Sequence, residues 1–217
     1  MNCCHESRCA AGEQFGPAIA ARDLKRYRQK GPDAPSRWLV DSVAKELKTG
    51  DTLLDIGGGV GVLSFELLSR GARTATLVDA SPAYLEAAGQ EAERRHLSEG
   101  VQRIAGDFTT VSDRIDAADV VTMNRVVCCY PDYSVLLKAA ATRARRVFAF
   151  SYPRARWLTW LWVSMANTIR RLRGNSFRAF VHSPAAMDAL VVGEGFRKSH
   201  QSQTVVWSMH VYVRTDA

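Results

Sequence analysis

One glycine-rich turn constrains this chain more than any other stretch. In residues 51–61, DTLLDIGGGVG, Leu53, Leu54 and Ile56 read as the end of a buried strand interrupted by Asp55. Gly57, Gly58, Gly59 and Gly61 then open a helix near Val62. Glycines at a strand–helix junction permit a tight turn and let the backbone approach a bound group closely, with the helix-start N–H groups facing that group. Eighteen residues after Gly61, the apolar run Ala75-Thr76-Leu77-Val78 ends in Asp79. An acid at the end of a second strand suits a ribose diol, because a carboxylate accepts hydrogen bonds from both hydroxyls. Asp55, just before the glycines, is placed to order the turn and to face a cationic or amino-bearing ligand. A nicotinamide-type dinucleotide domain is one reading of this pattern.

A second reading accounts for more of the chain. Asp55-Ile-Gly-Gly-Gly-Val-Gly61 resembles the first motif of class I S-adenosylmethionine-dependent methyltransferases; Asp79 matches their ribose-binding acid and Gly106-Asp107-Phe108 the segment that holds the adenine. The resemblance runs from about residue 35 to the C-terminus. It implies an α/β, Rossmann-like fold: a mostly parallel seven-stranded sheet with helices on both faces and a helical lid insertion after strand five. It also implies S-adenosyl-L-methionine as cofactor. Tyr130-Pro131, Tyr152-Pro153-Arg154 and Phe180-Val181-His182 resemble, distantly, the magnesium-protoporphyrin O-methyltransferase group, from which the sequence departs at Asn124 and throughout the lid.

The length of 217 residues suits one α/β domain over 17–217, with cap helices in 17–48, a lid insertion in 154–182 and a flexible tail over 1–16. No apolar run reaches 18 residues, and the N-terminus lacks the apolar core of a secretion signal, so a cytoplasmic location is expected. Five cysteines, among them the adjacent pairs Cys3-Cys4 and Cys128-Cys129, make no disulfide framework. Cys3, Cys4, His5 and Cys9 could ligate a soft metal, but their spacing is not that of a structural zinc site, and no metal is expected. Charge is unevenly placed. Residues 133–187 carry Lys138 and nine arginines with no aspartate or glutamate, a local +10 in a chain of formal charge +7. Such a field attracts an acidic substrate, an anionic membrane surface or nucleic acid; a solvated face is the plain alternative.

Residues 17–30 predict a helix starting at Pro17, and a second follows with its cap near Ser36. Related enzymes lay such an N-terminal helix over the cofactor, which would bring Tyr27 or Arg28 to the methionine carboxylate; a surface helix with a packed tyrosine stands beside that reading. Ser81 and Pro82 cap a helix reaching about His96, and Ala80 and Ser81 are expected to line the adenine side. Strands follow at 101–104, 118–123 and 146–151, and a final pair ends the chain. Asp107 is placed to accept from the adenine amine, and Phe108 to cover the ring.

Open α/β sheets bind ligands beyond the strand C-termini, so acceptor chemistry is expected in the segments after strands four and five. The resemblance implies that Asn124, first after strand four, faces the methyl donor, as a hydrogen-bonding group rather than a base. Tyr130 is expected either to point into the acceptor pocket or to pack. After strand five, Leu158, Leu161, Trp162, Met165, Ile169 and Leu172 share one helix face, flanked by Arg154, Arg156, Arg170, Arg171, Arg173 and Arg178. Three readings compete: a lid over a bulky apolar acceptor, a packing or homodimer helix, and peripheral membrane contact through 157–172 at the inner face. His182, where the chain returns from that helix, is the preferred general base, against a structural histidine bonded to backbone.

These features favour methyl transfer to a small organic acceptor. Nucleic-acid modification is disfavoured, because no Asn/Asp-Pro-Pro-aromatic motif follows strand four and no recognition domain is appended. Thiol or metalloid methylation stays open because of the cysteines. A non-catalytic cofactor-binding protein is the remaining alternative.

Overall fold

Short apolar runs alternating with amphipathic segments generate a layered α/β structure, seen here in a computed structural model that describes residues 14–215. The cysteines at 3, 4 and 9 and His5 lie outside the described residues. Two helices lead in, α1 (Pro17–Lys30) and α2 (Ala34–Ala44). There follow β1 (Thr52–Ile56), α3 (Val62–Leu68), β2 (Thr74–Asp79), α4 (Pro82–Arg94), β3 (Val101–Ala105), the single turn α5 (Phe108–Val111) and β4 (Ala118–Met123). The second half holds α6 (Tyr133–Arg143), β5 (Ala144–Pro153), α7 (Trp157–Leu172), α8 (Pro184–Gly193), β6 (Phe196–Gln203) and β7 (Trp207–Arg214).

The strands form one seven-stranded sheet in the order β3-β2-β1-β4-β5-β7-β6. All neighbours from β3 to β5 pair in parallel, and β7 runs antiparallel between β5 and β6. Both faces are covered, which is why these strands lack polar alternation. Leu54, Val121, Phe148 and Phe150 face Leu136, Leu137, Ala140 of α6 and Met187, Val191 of α8. On the other face Leu53, Ala75, Val120 and Val147 meet Leu39, Val40, Val43 of α2 and Leu63, Leu67 of α3. The chain steps from β1 outward to β3 and then crosses back to β4, leaving a crevice at the C-terminal ends of β1 and β4, where such sheets bind ligands.

Some local expectations shift. The cap of α2 is Asp33, whose carboxylate accepts from Ser36 N and Ser36 Oγ; Ser36 lies one turn inside. The end of the 1–16 tail that is described is docked: Asn175 Nδ2 donates to Gln14 Oε1, Ser81 Oγ donates to Phe15 O, and the Phe15 ring meets Tyr84 and Phe177. The largest departure is α7. Leu158, Leu161, Trp162, Met165, Ile169 and Leu172 do share a face, but that face is 41–82% exposed. Thr159, Val163, Ala166, Asn167 and Arg170 are the more covered positions, and Val163 is the helix's only buried residue. Asn167 holds the helix by exchanging hydrogen bonds with Ala179 N and O, and Arg170 lies over the Phe177 ring. No helix among the described residues is long and apolar enough to cross a membrane.

Candidate active site

The glycine turn and the end of β4 form the walls of a cavity of about 420 Å³, roofed by α1 and the loop before α2. Gly57 takes φ +61°, and a Cβ on it would lie 2.5 Å from Val126 Cγ2, so both its backbone and its neighbour demand glycine. At Gly59, φ is +57° and a Cβ would meet nothing within 4 Å, because the turn there opens onto the cavity.

Asp79 closes β2 with its carboxylate at the cavity wall. Its Oδ2 accepts from Gly59 N at 2.9 Å and its Oδ1 from Ser81 N at 2.8 Å. Each oxygen keeps a lone pair beyond those bonds. Burial raises its pKa, opposed by the two amides. Asp55 sits beneath the turn. It borders the cavity but is only 1% exposed, and its oxygens accept from Ser64 Oγ at 2.9 Å and Thr122 Oγ1 at 2.7 Å. Burial pushes its pKa to about 6 against those two hydroxyls. Its observed work is to tie β1, β4 and α3 beneath the turn.

The other sequence-derived residues divide. Ala80, Phe108, Asn124 and Tyr130 line the cavity with Gly57 and Gly59, whereas Ser81, Asp107 and His182 do not. Gly61 starts α3 behind the turn at φ +83°. Ser81 caps α4 by accepting from Tyr84 N. Asp107 caps α5, accepting from Thr109 N, Thr109 Oγ1 and Tyr130 Oη, so Gly106 and Phe108 rather than its carboxylate face the cavity. Asn124 is held on both sides: its Nδ2 donates to Ser36 Oγ at 2.8 Å and its Oδ1 accepts from Ser151 Oγ at 2.7 Å. Ser36 in turn donates to Asp33, which also pairs with Arg125. Burial would raise the Asp33 pKa, but Ser36 and Arg125 hold it below the usual carboxylate value. This network locks the loop before α2 onto the end of β4.

On α1, Tyr27 lines the cavity but Arg28 does not. Arg28 Nε donates instead to Glu91, a fully buried carboxylate that also binds Arg94 and Arg95. One residue turns a helix by about 100°, which carries Arg28 from the cavity side of α1 toward α4. The Tyr27 hydroxyl is also committed, donating to Glu66 Oε1 at 2.7 Å, and burial followed by that bond raises its pKa strongly. The residues that share the cavity side with Tyr27 are Arg22, Asp23 and Arg26; helical phase was the signal for them, since Ala20 and Leu24 pack inward.

His182 lies outside the cavity lining, bonded to backbone. Its Nε2 lies 2.9 Å from Tyr130 O and 3.2 Å from Val127 O, so it carries the proton and donates to carbonyls. The ring sits between Tyr133 and Phe180, and burial lowers its pKa despite the two carbonyls. It staples the returning chain to the segment after β4. Among the described residues no histidine lines the cavity, and no cluster of three or more His, Cys, Asp or Glu could hold a metal ion.

A sheet of this order, carrying a glycine turn after β1 and an acid after β2 around one crevice, is the class I methyltransferase architecture. The chain matches, over residues 53–148, a family model described as a methyltransferase domain. It is similar in structure to magnesium protoporphyrin IX methyltransferase from Synechocystis PCC 6803 with bound SAH, at 21% identity and TM-score 0.73 over 96% of this chain and 100% of that one. The same enzyme with bound SAM gives 19% and 0.72 over 99% and 100%. A putative RNA methyltransferase from Pyrococcus horikoshii is similar at 16% identity and TM-score 0.61, over 85% of this chain and 84% of that one. No curated protein matches the sequence.

Proposed function

We propose that this enzyme methylates a small, bulky and largely apolar organic acceptor that binds at the mouth of the cofactor cavity. One observation carries the reading: about 420 Å³ is near the small end of ligand pockets, which run roughly 300–1,000 Å³. A cofactor of nucleoside size uses that space, so the acceptor meets the rim. The lining mixes the apolar surfaces of Phe15, Pro32, Val126 and Tyr130 with Arg22, Arg26 and Arg125. That composition suits an apolar body bearing an acidic group.

The cofactor residues are assigned on the same basis. Asp79 would accept from the ribose hydroxyls, Gly57 and Gly59 would give the backbone approach, and Ala80 and Phe108 would flank the adenine. Arg26, which lies near Asp33 and is largely solvent-exposed, replaces Arg28 as the group for the methionine carboxylate. Bound S-adenosylmethionine supplies a methyl group already activated on a sulfonium. What the protein must add is alignment and exclusion of water. Asn124, clamped between two serines, orients. The lining carboxylates all have donors already, and Cys129, the lining thiol, has its pKa raised by its bond with Cys128 and by burial. With no uncommitted base lining the cavity among the described residues, an acceptor such as a carboxylate, which needs none, is favoured over a phenol or thiol.

Calorimetry with S-adenosylhomocysteine and NAD tests the cofactor assignment. The homocysteine product should bind and NAD should not; Asp79→Asn should weaken binding by ~1–3 kcal/mol, with folding checked by circular dichroism. Equal affinity for NAD overturns the assignment. A panel of apolar carboxylic acids, with magnesium protoporphyrin among them, then tests the acceptor class by transfer of labelled methyl.

A further inference from the structure

We propose that the outer face of α7, together with the adjoining loop between β6 and β7, is a docking surface for anionic lipid. This goes beyond the methyl-transfer reading and does not depend on it. Three observations converge. First, the stripe from Leu158 to Leu172 is presented outward, with Trp157 and Trp160 also more than half exposed. The helix is held by the Asn167–Ala179 pair and the single buried Val163. An apolar surface of this extent marks a contact site rather than a chance exposure.

Second, the apolar surface continues onto another element. Arg154 N donates to Val206 O and Arg154 Nη1 donates to Thr204 O, which sets the β6–β7 loop beside the start of α7. That loop carries Val205, 80% exposed, and Val206. Third, the apolar surface is collared by the exposed Arg156, Arg171 and Arg173, none of which forms an ion pair with an acid among the described residues. Exposed tryptophan and leucine ringed by unpaired arginine is the pattern of a helix lying in a membrane interface: the apolar stripe enters the acyl boundary and the guanidinium groups reach the phosphates.

Charge selects this occupant over a second copy of the chain. A two-fold dimer sets each patch against itself, bringing two arginine collars together without an acid between them. An anionic lipid surface neutralises them.

The test is flotation of the full chain with vesicles of phosphatidylcholine alone and of equimolar phosphatidylcholine and phosphatidylglycerol. Binding to the mixed vesicles should be stronger by about tenfold or more, should fall with added salt, and should shift tryptophan emission to the blue. Replacing Leu161, Trp162 and Met165 together by serine should weaken it by about tenfold or more while binding of S-adenosylhomocysteine and the melting temperature hold. Arg171→Gln with Arg173→Gln should reduce the preference for the anionic vesicles. Two results overturn the proposal. One is vesicle binding that is absent or untouched by the serine variant. The other is a concentration-dependent dimer, seen by light scattering, that the serine variant abolishes.

Discussion

Two regions at the C-terminal edge of the same sheet are built on opposite rules. Around the glycine turn, polar groups are closed on one another: Asp55 between Ser64 and Thr122, Asp79 between Gly59 and Ser81, Asn124 between Ser36 and Ser151. In the excursion from β5 to α8, the arginines form no ion pair with an acid among the described residues, and the large apolar groups of α7 other than Val163 face outward. The first region is pre-organised and loses little freedom when a ligand arrives. The second leaves its interaction energy uncommitted, which is what a surface awaiting a partner requires.

The sharpest way to break this contrast is to make one substitution in both regions. Gly57 and Gly174 both have positive φ, +61° and +70°, but a Cβ at Gly57 collides with Val126 whereas one at Gly174 meets nothing within 4 Å. Backbone strain alone costs about 1–2 kcal/mol at either site. The collision adds roughly 1–3 kcal/mol at Gly57. Gly57→Ala should therefore destabilise by about 2–5 kcal/mol and weaken cofactor binding, and Gly174→Ala by no more than about 2 kcal/mol with binding intact. Urea unfolding with calorimetry compares them, and equal losses would remove the distinction.

Beside β5 lies β7, where His210 offers a smaller effect and a pH signature. Its Nε2 meets Tyr152 Oη at 3.0 Å and its Nδ1 meets Tyr212 Oη at 3.3 Å; Tyr212 donates to Asp188, which pairs with Lys198. Burial, then Lys198, lowers the His210 pKa to about 4 against the pull of Asp188. Because the folded value is depressed below the ordinary 6.5, the unfolded chain takes the proton first, so this stability is present above pH 6.5 and is lost as pH falls toward 4. The loss amounts to at most about 3 kcal/mol. Asp55 acts oppositely: its raised pKa of about 6 relieves a penalty as pH falls below that value. The quantity to measure is thus the wild-type slope minus that of His210→Gln. That difference should be positive between pH 4 and 6.5, stability rising more steeply with pH in the wild type, and identical slopes would show that His210 titrates normally.

The turn and its strands were legible from sequence because glycine and acid spacing specify backbone geometry directly. Asp55, Asp79, Gly57, Gly59, Ala80, Phe108, Asn124, Tyr130 and Tyr27 came to line the cavity. Asp107 and His182 did not, because a chemically able side chain one or two residues from a ligand wall can be absorbed by the nearest unsatisfied backbone group. Asp107 took the orphan amide at Thr109, and His182 took two loop carbonyls. Arg28 failed on helical phase alone, its partner Glu91 being sixty-three residues away. The stripe on α7 was legible as a stripe, but periodicity identifies a face without saying which way it turns. The inward face proved to be set by Asn167 and Val163, whose contacts depend on where the chain returns at Ala179.

The smallest effect tests that last point. Leu161 on α7 is 61% exposed, whereas Leu54 on β1 is fully buried. Replacing a buried leucine by alanine removes transfer energy and leaves a cavity, so Leu54→Ala should cost about 2–5 kcal/mol. Leu161→Ala removes no packed neighbour, and alanine is at least as good a helix former, so its stability should stay within about 0.5 kcal/mol of the parent. Both can be read from urea midpoints, and the slope with denaturant should not change for Leu161→Ala, since the folded surface is the same. A cost of 2 kcal/mol or more at Leu161 would mean that the stripe packs on the body of the protein. In that case α7 serves the fold, and the excursion has no free face to offer a lipid surface or anything else.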